Sequence, residues 1–348
     1  MTSTAEPLSQ RMKGSLGMVI PVWYPEDMRA GTMRELLSLT LSDVELFVHM
    51  ENVVLHVDGC PRVAPIVEEL RDEAWQRLGS SFDVSMKEEN LGKGGAVALG
   101  YERLLERQEL QFVCTRDGDG DHSIYDLPHL YRLARQIQGA EQTDLVAVCG
   151  RRFGRHRPLG LWRGEYEAVM AELIWEGLKC ALARDGRALN TQYLNSYGRV
   201  PDVQSGYKVY SRAAATLVTE GLWRANREHP DLGMLGWGVE IVPAVEIVLA
   251  GGVYGEMMRT TYETQPVSTF DQSQRNEEYA REAIWVLKRL EIAPPAAARL
   301  LDGIIPRTAL YQDGAGRREL LAMRALVLEG LGHDAADPDE PIRVPEFF

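Results

Sequence analysis

Phe112-Val113-Cys114-Thr115-Arg116-Asp117-Gly118-Asp119-Gly120-Asp121-His122 joins a short apolar run to three carboxylates at alternate positions. The run has the length of a strand covered on both faces, and the acids begin where it ends. In open α/β sheets ligands gather beyond the carboxyl ends of the strands, so the cluster stands where a site is expected. Three acids this close repel one another unless something positive lies among them. A divalent cation, Mg²⁺ or Mn²⁺, suits Asp117, Asp119 and Asp121, since it takes carboxylate and phosphate oxygens. Gly118 and Gly120 permit tight turns and close approach by a ligand. Two plainer readings stand beside this one. Asp-Gly strings are common in solvated turns. Asp-x-Asp-x-Asp also opens a calcium-binding EF-hand loop, but that loop places its glycine differently and follows a helix, not a strand.

Outward from this stretch, short β-rich runs alternate with helical periodicity, the pattern of βαβ units and a mainly parallel sheet flanked by helices. Strands are expected over 17–22, 53–57, 82–86, 112–115, 145–149 and 253–257, with 203–210 extended. Helices are expected over 29–39, 63–78, 127–138, 165–182 and 239–249, and from the glycine-rich turn 90–96 through 105. From 272 onward the chain reads as amphipathic helices over 276–290, 296–301 and 317–331, then a tail rich in Pro and Asp. This divides the chain into a flexible tail 1–16, a catalytic domain 17–265 and a helical extension 266–348. The extension is expected to pack on the core or to offer a homodimer surface. No solenoid or propeller repeat is present.

The 348 residues carry a formal net charge of −13. That balance excludes nonspecific nucleic-acid binding, which needs a basic footprint, but leaves room for one basic pocket. Cys60, Cys114, Cys149 and Cys180 are scattered without a CxxC pair, which argues against a disulfide framework or a zinc site. The polar N-terminus lacks the apolar core of a signal peptide, and the most apolar later stretch, 241–254, is too short to span a bilayer. The expectation is a cytoplasmic protein with no integral membrane segment.

Four further places carry chemistry. Asp58 ends the second strand, where it can reach a base or ribose, or cap the turn before Pro61. Asn90-Leu91-Gly92-Lys93-Gly94-Gly95-Ala96 is similar to phosphate-cradling loops, yet is neither GxGxxG nor a Walker A sequence, and a helix-entry turn also explains it. Gly150-Arg151-Arg152, with Arg155, His156 and Arg157, is the densest basic cluster, suited to a diphosphate or simply a solvated loop. Gly236-Trp237-Gly238-Val239-Glu240 places a carboxylate at a helix start, where the dipole favours it and where it could also serve as a general base.

In this order the pieces resemble the family 2 glycosyltransferases of GT-A fold, especially the polyprenyl-phosphate and dolichyl-phosphate sugar synthase branch. The match runs from about Met18 to Glu263. Val19-Ile20-Pro21-Val22-Trp23-Tyr24-Pro25-Glu26 is similar to the opening strand and loop, and His56-Val57-Asp58-Gly59 to the second strand. The turn 90–96 resembles the family's Asn-x-Gly-Lys-Gly-x-Ala, and 117–122 its Asp-x-Asp-x-Gln-His, with Asp121 in place of Gln. Val148-Cys149-Gly150-Arg151-Arg152, Asp202-Val203-Gln204-Ser205-Gly206-Tyr207-Lys208 and Gly251-Gly252-Val253-Tyr254-Gly255-Glu256 are similar to later segments, and Glu240 falls at the family's acidic position before a helix.

The resemblance implies a GT-A-type, Rossmann-like α/β domain that moves a hexosyl group from a UDP- or GDP-sugar, with inversion. It implies that Pro21, Tyr24, Glu26, Asp58, Asn90, Lys93, Asp117, Gly118, Arg151 and Arg152 bind the nucleotide-sugar. Asp117, Asp119 and Asp121 would hold Mg²⁺ or Mn²⁺, Gln204, Gly206 and Trp237 would face the acceptor, and Glu240 would be the base. With no lipid-facing helix in the sequence, a small soluble acceptor is expected. A retaining enzyme of the glucosyl-3-phosphoglycerate synthase kind and a non-catalytic nucleotide-sugar-binding protein stay open. A nucleotidyltransferase would show a glycine-rich, Arg-containing loop after the first strand, where this chain has Pro21-Val22-Trp23-Tyr24-Pro25-Glu26.

Overall fold

The computed structural model describes residues 6–154, 156–195, 200–260 and 274–333. Its centre is a sheet of seven strands: β1 (Leu16–Val22), β2 (Val53–Asp58), β3 (Asp83–Lys87), β4 (Phe112–Thr115), β5 (Val146–Arg151), β6 (Lys208–Ser211) and β7 (Val253–Met258). Their order is β3-β2-β1-β4-β6-β5-β7. All pairings are parallel except those of β6, which runs antiparallel to both β4 and β5. The expected α/β architecture, a mainly parallel sheet between helices, is the one observed.

Alternation along the strands explains the layering. On β1, Met18, Ile20 and Val22 join one core, while Val19 joins the other. The first core is closed by α1 (Leu8–Lys13), α2 (Ala30–Ser42), α3 (Ala64–Leu78) and α5 (Leu127–Glu141). The second holds α4 (Lys93–Leu105), α6 (His156–Arg184, broken at Gly160), α7 (Arg212–Glu228), the short α8 (Met234–Trp237) and α9 (Val242–Leu249). Two-sided cover is what makes these strands read as continuous apolar runs. Pro21 is tolerated in β1 because it lies beyond the last β1–β4 pair, Val19 with Thr115.

The C-terminal helices α10 (Arg275–Arg289), α11 (Pro294–Ile304) and α12 (Gly314–Gly330) are part of the second core. Trp285, Leu301 and Leu320 are buried in it together with Tyr166 and Trp175 of α6. A bidentate ion pair fastens α10 to α9, with Arg289 donating to both Glu246 oxygens at 2.7 and 2.9 Å.

Several boundaries differ from expectation. Only Lys208–Ser211 of the extended stretch pairs as a strand, and the helix expected from 239 starts at Val242, leaving Glu240 in the preceding turn. Helix α7 was not foreseen. The boundary near 263–272, Arg155 and the tail after 333 lie outside the described residues. Among the described residues no helix is long and apolar enough to cross a membrane. All four cysteines are free thiols, with Cys60, Cys114 and Cys149 buried.

Candidate functional site

Because six strands run parallel, their carboxyl ends share one edge of the sheet. Trp23 and Tyr24 after β1, Asp58 on β2 and the aspartates after β4 meet there, with Gln204 from the loop before β6. They line a cavity of ≈ 440 Å³.

The turn into α4 is built by short-range bonds. Leu91 N–H donates to Asp58 Oδ1 at 2.9 Å, and Gly92 N–H to Asn90 Oδ1 at 2.8 Å. Asp58 therefore anchors this turn, and burial raises its carboxyl above the ordinary value, partly offset by bonds from Leu91 and Gly92. Gly92 has φ +85°, and a Cβ there would lie 2.6 Å from Gly236 Cα. The helix carrying Trp237 thus seats directly on the turn. Gly92→Ala combines a left-handed backbone with a backbone clash, so it should lower unfolding free energy by about 1–3 kcal/mol. Chemical denaturation checks this; an unchanged midpoint would show that the two segments do not need to touch.

Lys93, first residue of α4, reaches between two acids. Its Nζ donates to Asp117 Oδ2 at 3.0 Å and to Glu240 Oε1 at 2.9 Å. Burial alone would lower this ammonium, but Asp117 and Glu240 raise it above the usual value, so it stays charged. Burial likewise pushes Asp117 up, and Lys93 brings it net below the ordinary carboxylate range. Gly206 lies beneath this bridge: a Cβ there would stand 2.9 Å from Lys93 Nζ.

The aspartates themselves are held from several sides. Tyr24 Oη donates to Gly118 O at 2.6 Å, and Asp121 N–H donates to Asp119 Oδ1 at 3.3 Å. Arg116, buried, ties Asp43 and the carbonyls of Thr40 and His122 together. His122 stacks on Tyr207 with centroids 4.7 Å apart, and its Nδ1 accepts the Asp117 N–H at 3.1 Å. Burial pushes its pKa down to about 4, so the ring is neutral. Its Nε2 faces Asp121 Oδ1 at 3.4 Å and Asp117 Oδ2 at 3.9 Å, with Arg259 Nη2 also 3.4 Å away.

The donor atoms of Asp117, Asp121 and His122 lie within 4.8 Å of one another, and Asp119 does not join that group. Distance alone would make His122 a ligand. Through Nδ1 it also holds the backbone N–H of Asp117 and so orients the aspartate segment. Asp117 Oδ1 and Asp121 Oδ1 are both buried and receive no hydrogen bond. Burial, then the charges of Asp121 and Asp117, hold Asp119 well above its ordinary value. Orphaned anionic oxygens are costly in a protein interior, and a hard cation among them resolves the cost. The residues present fit Mg²⁺ or Mn²⁺.

Of the residues singled out in the sequence, Pro21, Tyr24, Asp58, Asn90, Lys93, Asp117, Gly118, Asp119, Asp121, Gln204, Trp237 and Glu240 line the cavity. Gly206 and Arg152 line a smaller chamber of ≈ 70 Å³ beside it. Glu26 and Arg151 line neither. Arg151 donates to Glu256 at 3.0 and 3.2 Å, and Arg152 holds Asp202 at 2.7 and 2.8 Å while also meeting Glu167. Glu26 is exposed, on a loop whose carbonyls are gathered by Arg62. The sequence reading did not single out Arg163, Glu167, Glu278, Tyr279 and Glu282, which bring α6 and α10 to the cavity wall. It also passed over Arg259, which follows β7 and places Nη2 3.4 Å from His122 Nε2.

No protein-family model matches the chain, and no curated protein matches it in sequence. Solved structures with partial likeness include a mycobacterial protein at 17% identity and TM-score 0.44, covering 82% of this chain and 78% of that one. TarS 1-349 from S. aureus aligns at 14% identity and TM-score 0.41, over 91% of this chain and 89% of that one. Mannosyltransferase PcManGT from Pyrobaculum calidifontis, solved with GDP-Man and Mn²⁺, aligns at 14% identity and TM-score 0.45, covering 91% and 85%. At these TM-scores the likenesses carry no weight beside the geometry of the site itself.

Proposed function

We propose that the chain is a metal-dependent glycosyltransferase of GT-A type that moves a hexosyl group from a UDP- or GDP-sugar to a small acceptor, with inversion. The observation that carries this reading is the pair of buried oxygens that receive no hydrogen bond, Asp117 Oδ1 and Asp121 Oδ1, on residues lining a cavity that also presents Lys93 and Glu240. Asp117, Asp119 and Asp121 would hold Mg²⁺ or Mn²⁺, which when bound supplies a Lewis acid for charge developing on the leaving diphosphate.

This chain's own residues do the rest. Asp58, through the turn it anchors, and Tyr24 shape the nucleoside end. Lys93 stands closer to the aspartates than Arg151 or Arg152 does, so it is the cation offered to the diphosphate. Glu240 would take the proton of the acceptor hydroxyl as that oxygen bonds to the anomeric carbon and the diphosphate departs from the opposite face. Lys93 fixes the Glu240 carboxylate in place at 2.9 Å.

A thermal-shift screen of UDP, GDP, CDP, dTDP and ADP, each with and without Mn²⁺, tests this reading. A ligand binding only the native state adds roughly 2.7 kcal/mol at a hundred times Kd. The expected result is a Mn²⁺-dependent rise with UDP or GDP. A folded protein that responds to none of the five would sink the proposal.

A further inference from the structure

The part of the cavity lining that comes from α6 and α10 has a different chemistry from the aspartate cluster. There α6 and α10 contribute Arg163, Glu167, Glu278, Tyr279 and Glu282, which is three carboxyl groups against one guanidinium. Arg163 Nε is already directed at Glu167 Oε1, 3.1 Å away. Gln204 and Trp237 line the same cavity. We propose that this wall of the cavity binds an uncharged polyhydroxyl acceptor, a saccharide, through Glu282 and Gln204 with the rings of Tyr279 and Trp237 alongside. The inference rests on the glycosyltransferase reading of the site.

Three features point to that ligand class. Gln204 Nε2 donates to Glu282 Oε2 at 2.8 Å, and among the described residues neither side chain makes another hydrogen bond. Glu282 Oε1 and the Gln204 side-chain carbonyl are left as acceptors outside this bond. Burial, and then the nearby Glu240, Glu167 and Glu278, push the Glu282 carboxyl far above its usual range. A carboxyl beside a carboxamide offers the kind of polar partners that a hydroxyl, both donor and acceptor, can use. Finally, an acceptor bearing a phosphate or carboxylate would enter against the acidic lining that Glu240 and Glu278 provide, and like charges brought together in a partly desolvated site are strongly unfavourable. The wall is also firm: α10 is buried at Trp285 and Leu287 and tied to α9 through Arg289 and Glu246. The C-terminal helices are then part of the acceptor site and not an appendage.

The test is saturation-transfer-difference NMR on the full chain with Mg²⁺ and UDP or GDP. The probes are methyl α-D-glucopyranoside, D-glucosamine and 3-phosphoglycerate, which are neutral, cationic and anionic. The neutral glycoside should bind in preference to the other two. Glu282→Ala and Gln204→Ala should each weaken that binding about tenfold, the loss expected when a hydrogen-bonded pair to a ligand is broken. Melting curves of both variants establish that they are folded, and two variants guard against one that is not. Preference for 3-phosphoglycerate or glucosamine, absence of any glycoside signal, or unchanged binding in the folded variants would overturn the inference. The nucleotide and Mn²⁺ thermal shift of the unaltered protein reports separately on the donor site, so failure of one reading is not mistaken for failure of the other.

Discussion

Asp119→Ala is expected to cut transfer by about 10²–10³-fold and to abolish the Mn²⁺ dependence of the nucleotide-induced thermal shift. The reasoning starts from repulsion. Asp119 has Asp121 and Asp117 as neighbours, and these, after burial itself, hold its carboxyl above the ordinary value. The described residues place Lys93 on Asp117 and Glu240, while Asp119 Oδ1 accepts the Asp121 backbone N–H at 3.3 Å. In the absence of a cation, Asp119 is thus a liability to the fold. Its removal should leave the melting temperature of the metal-free protein unchanged or raised while activity collapses, the opposite signs that mark a residue kept for function. Asp121→Asn should move both quantities in the same directions, because Asp121 Oδ1 is buried without a hydrogen bond. Both readouts matter. If Asp119→Ala transfers normally and still responds to Mn²⁺, the cluster is a solvated acidic turn.

The placement of these acids was legible in the sequence because two local signals coincide: an apolar run of strand length and alternating aspartates at its end. The sheet was legible for the same reason, since Val53-Val54-Leu55 and Val146-Ala147-Val148 are apolar on both faces of the layer. Other features depend on contacts that sequence patterns do not encode. Helix α7 begins one residue after β6, and the apolar strand residues Val209 and Tyr210 blend into Ala213, Ala214 and Ala215, so no punctuation marks the change. Tyr279 and Glu282 reach the cavity only because α10 folds back across a long stretch of chain, and their spacing looks like any amphipathic helix face. The arginines mislead for a related reason. Arg151 and Arg152 stand at a strand end, where a diphosphate partner is chemically reasonable, but Glu256 and Asp202 come from distant segments to meet them. His122 is a similar case. Its position in the motif was plain, whereas its role in orienting the aspartate segment follows from one backbone N–H at Nδ1.

Glu240→Gln is expected to lower kcat by about 10²–10⁴-fold while the Mn²⁺-dependent nucleotide shift persists. The amide keeps the shape of the side chain and still offers Lys93 an oxygen, so the bridge to Asp117 survives in part, but it cannot take a proton. Two other acids were candidates for the base, and their surroundings disfavour them. Asp202 is held by Arg152 at both oxygens, 2.7 and 2.8 Å away, and Glu246 is locked by Arg289 at 2.7 and 2.9 Å. Neither lines the cavity, whereas Glu240 does. Their partners also distinguish Glu240 from Glu282, since Glu240 accepts from Lys93, which also holds Asp117, and Glu282 accepts from Gln204. If Glu240 is the base, the acceptor oxygen attacks opposite the departing diphosphate and the product is inverted. The product anomer, read by proton NMR, and the kcat of Glu240→Gln together decide the matter. Near-normal turnover in the variant would move the base to Glu282 or Glu167. A retained anomeric configuration would remove the base role from Glu240 even if the variant were inactive, and would leave it as the carboxylate that fixes Lys93 over the metal-binding acids.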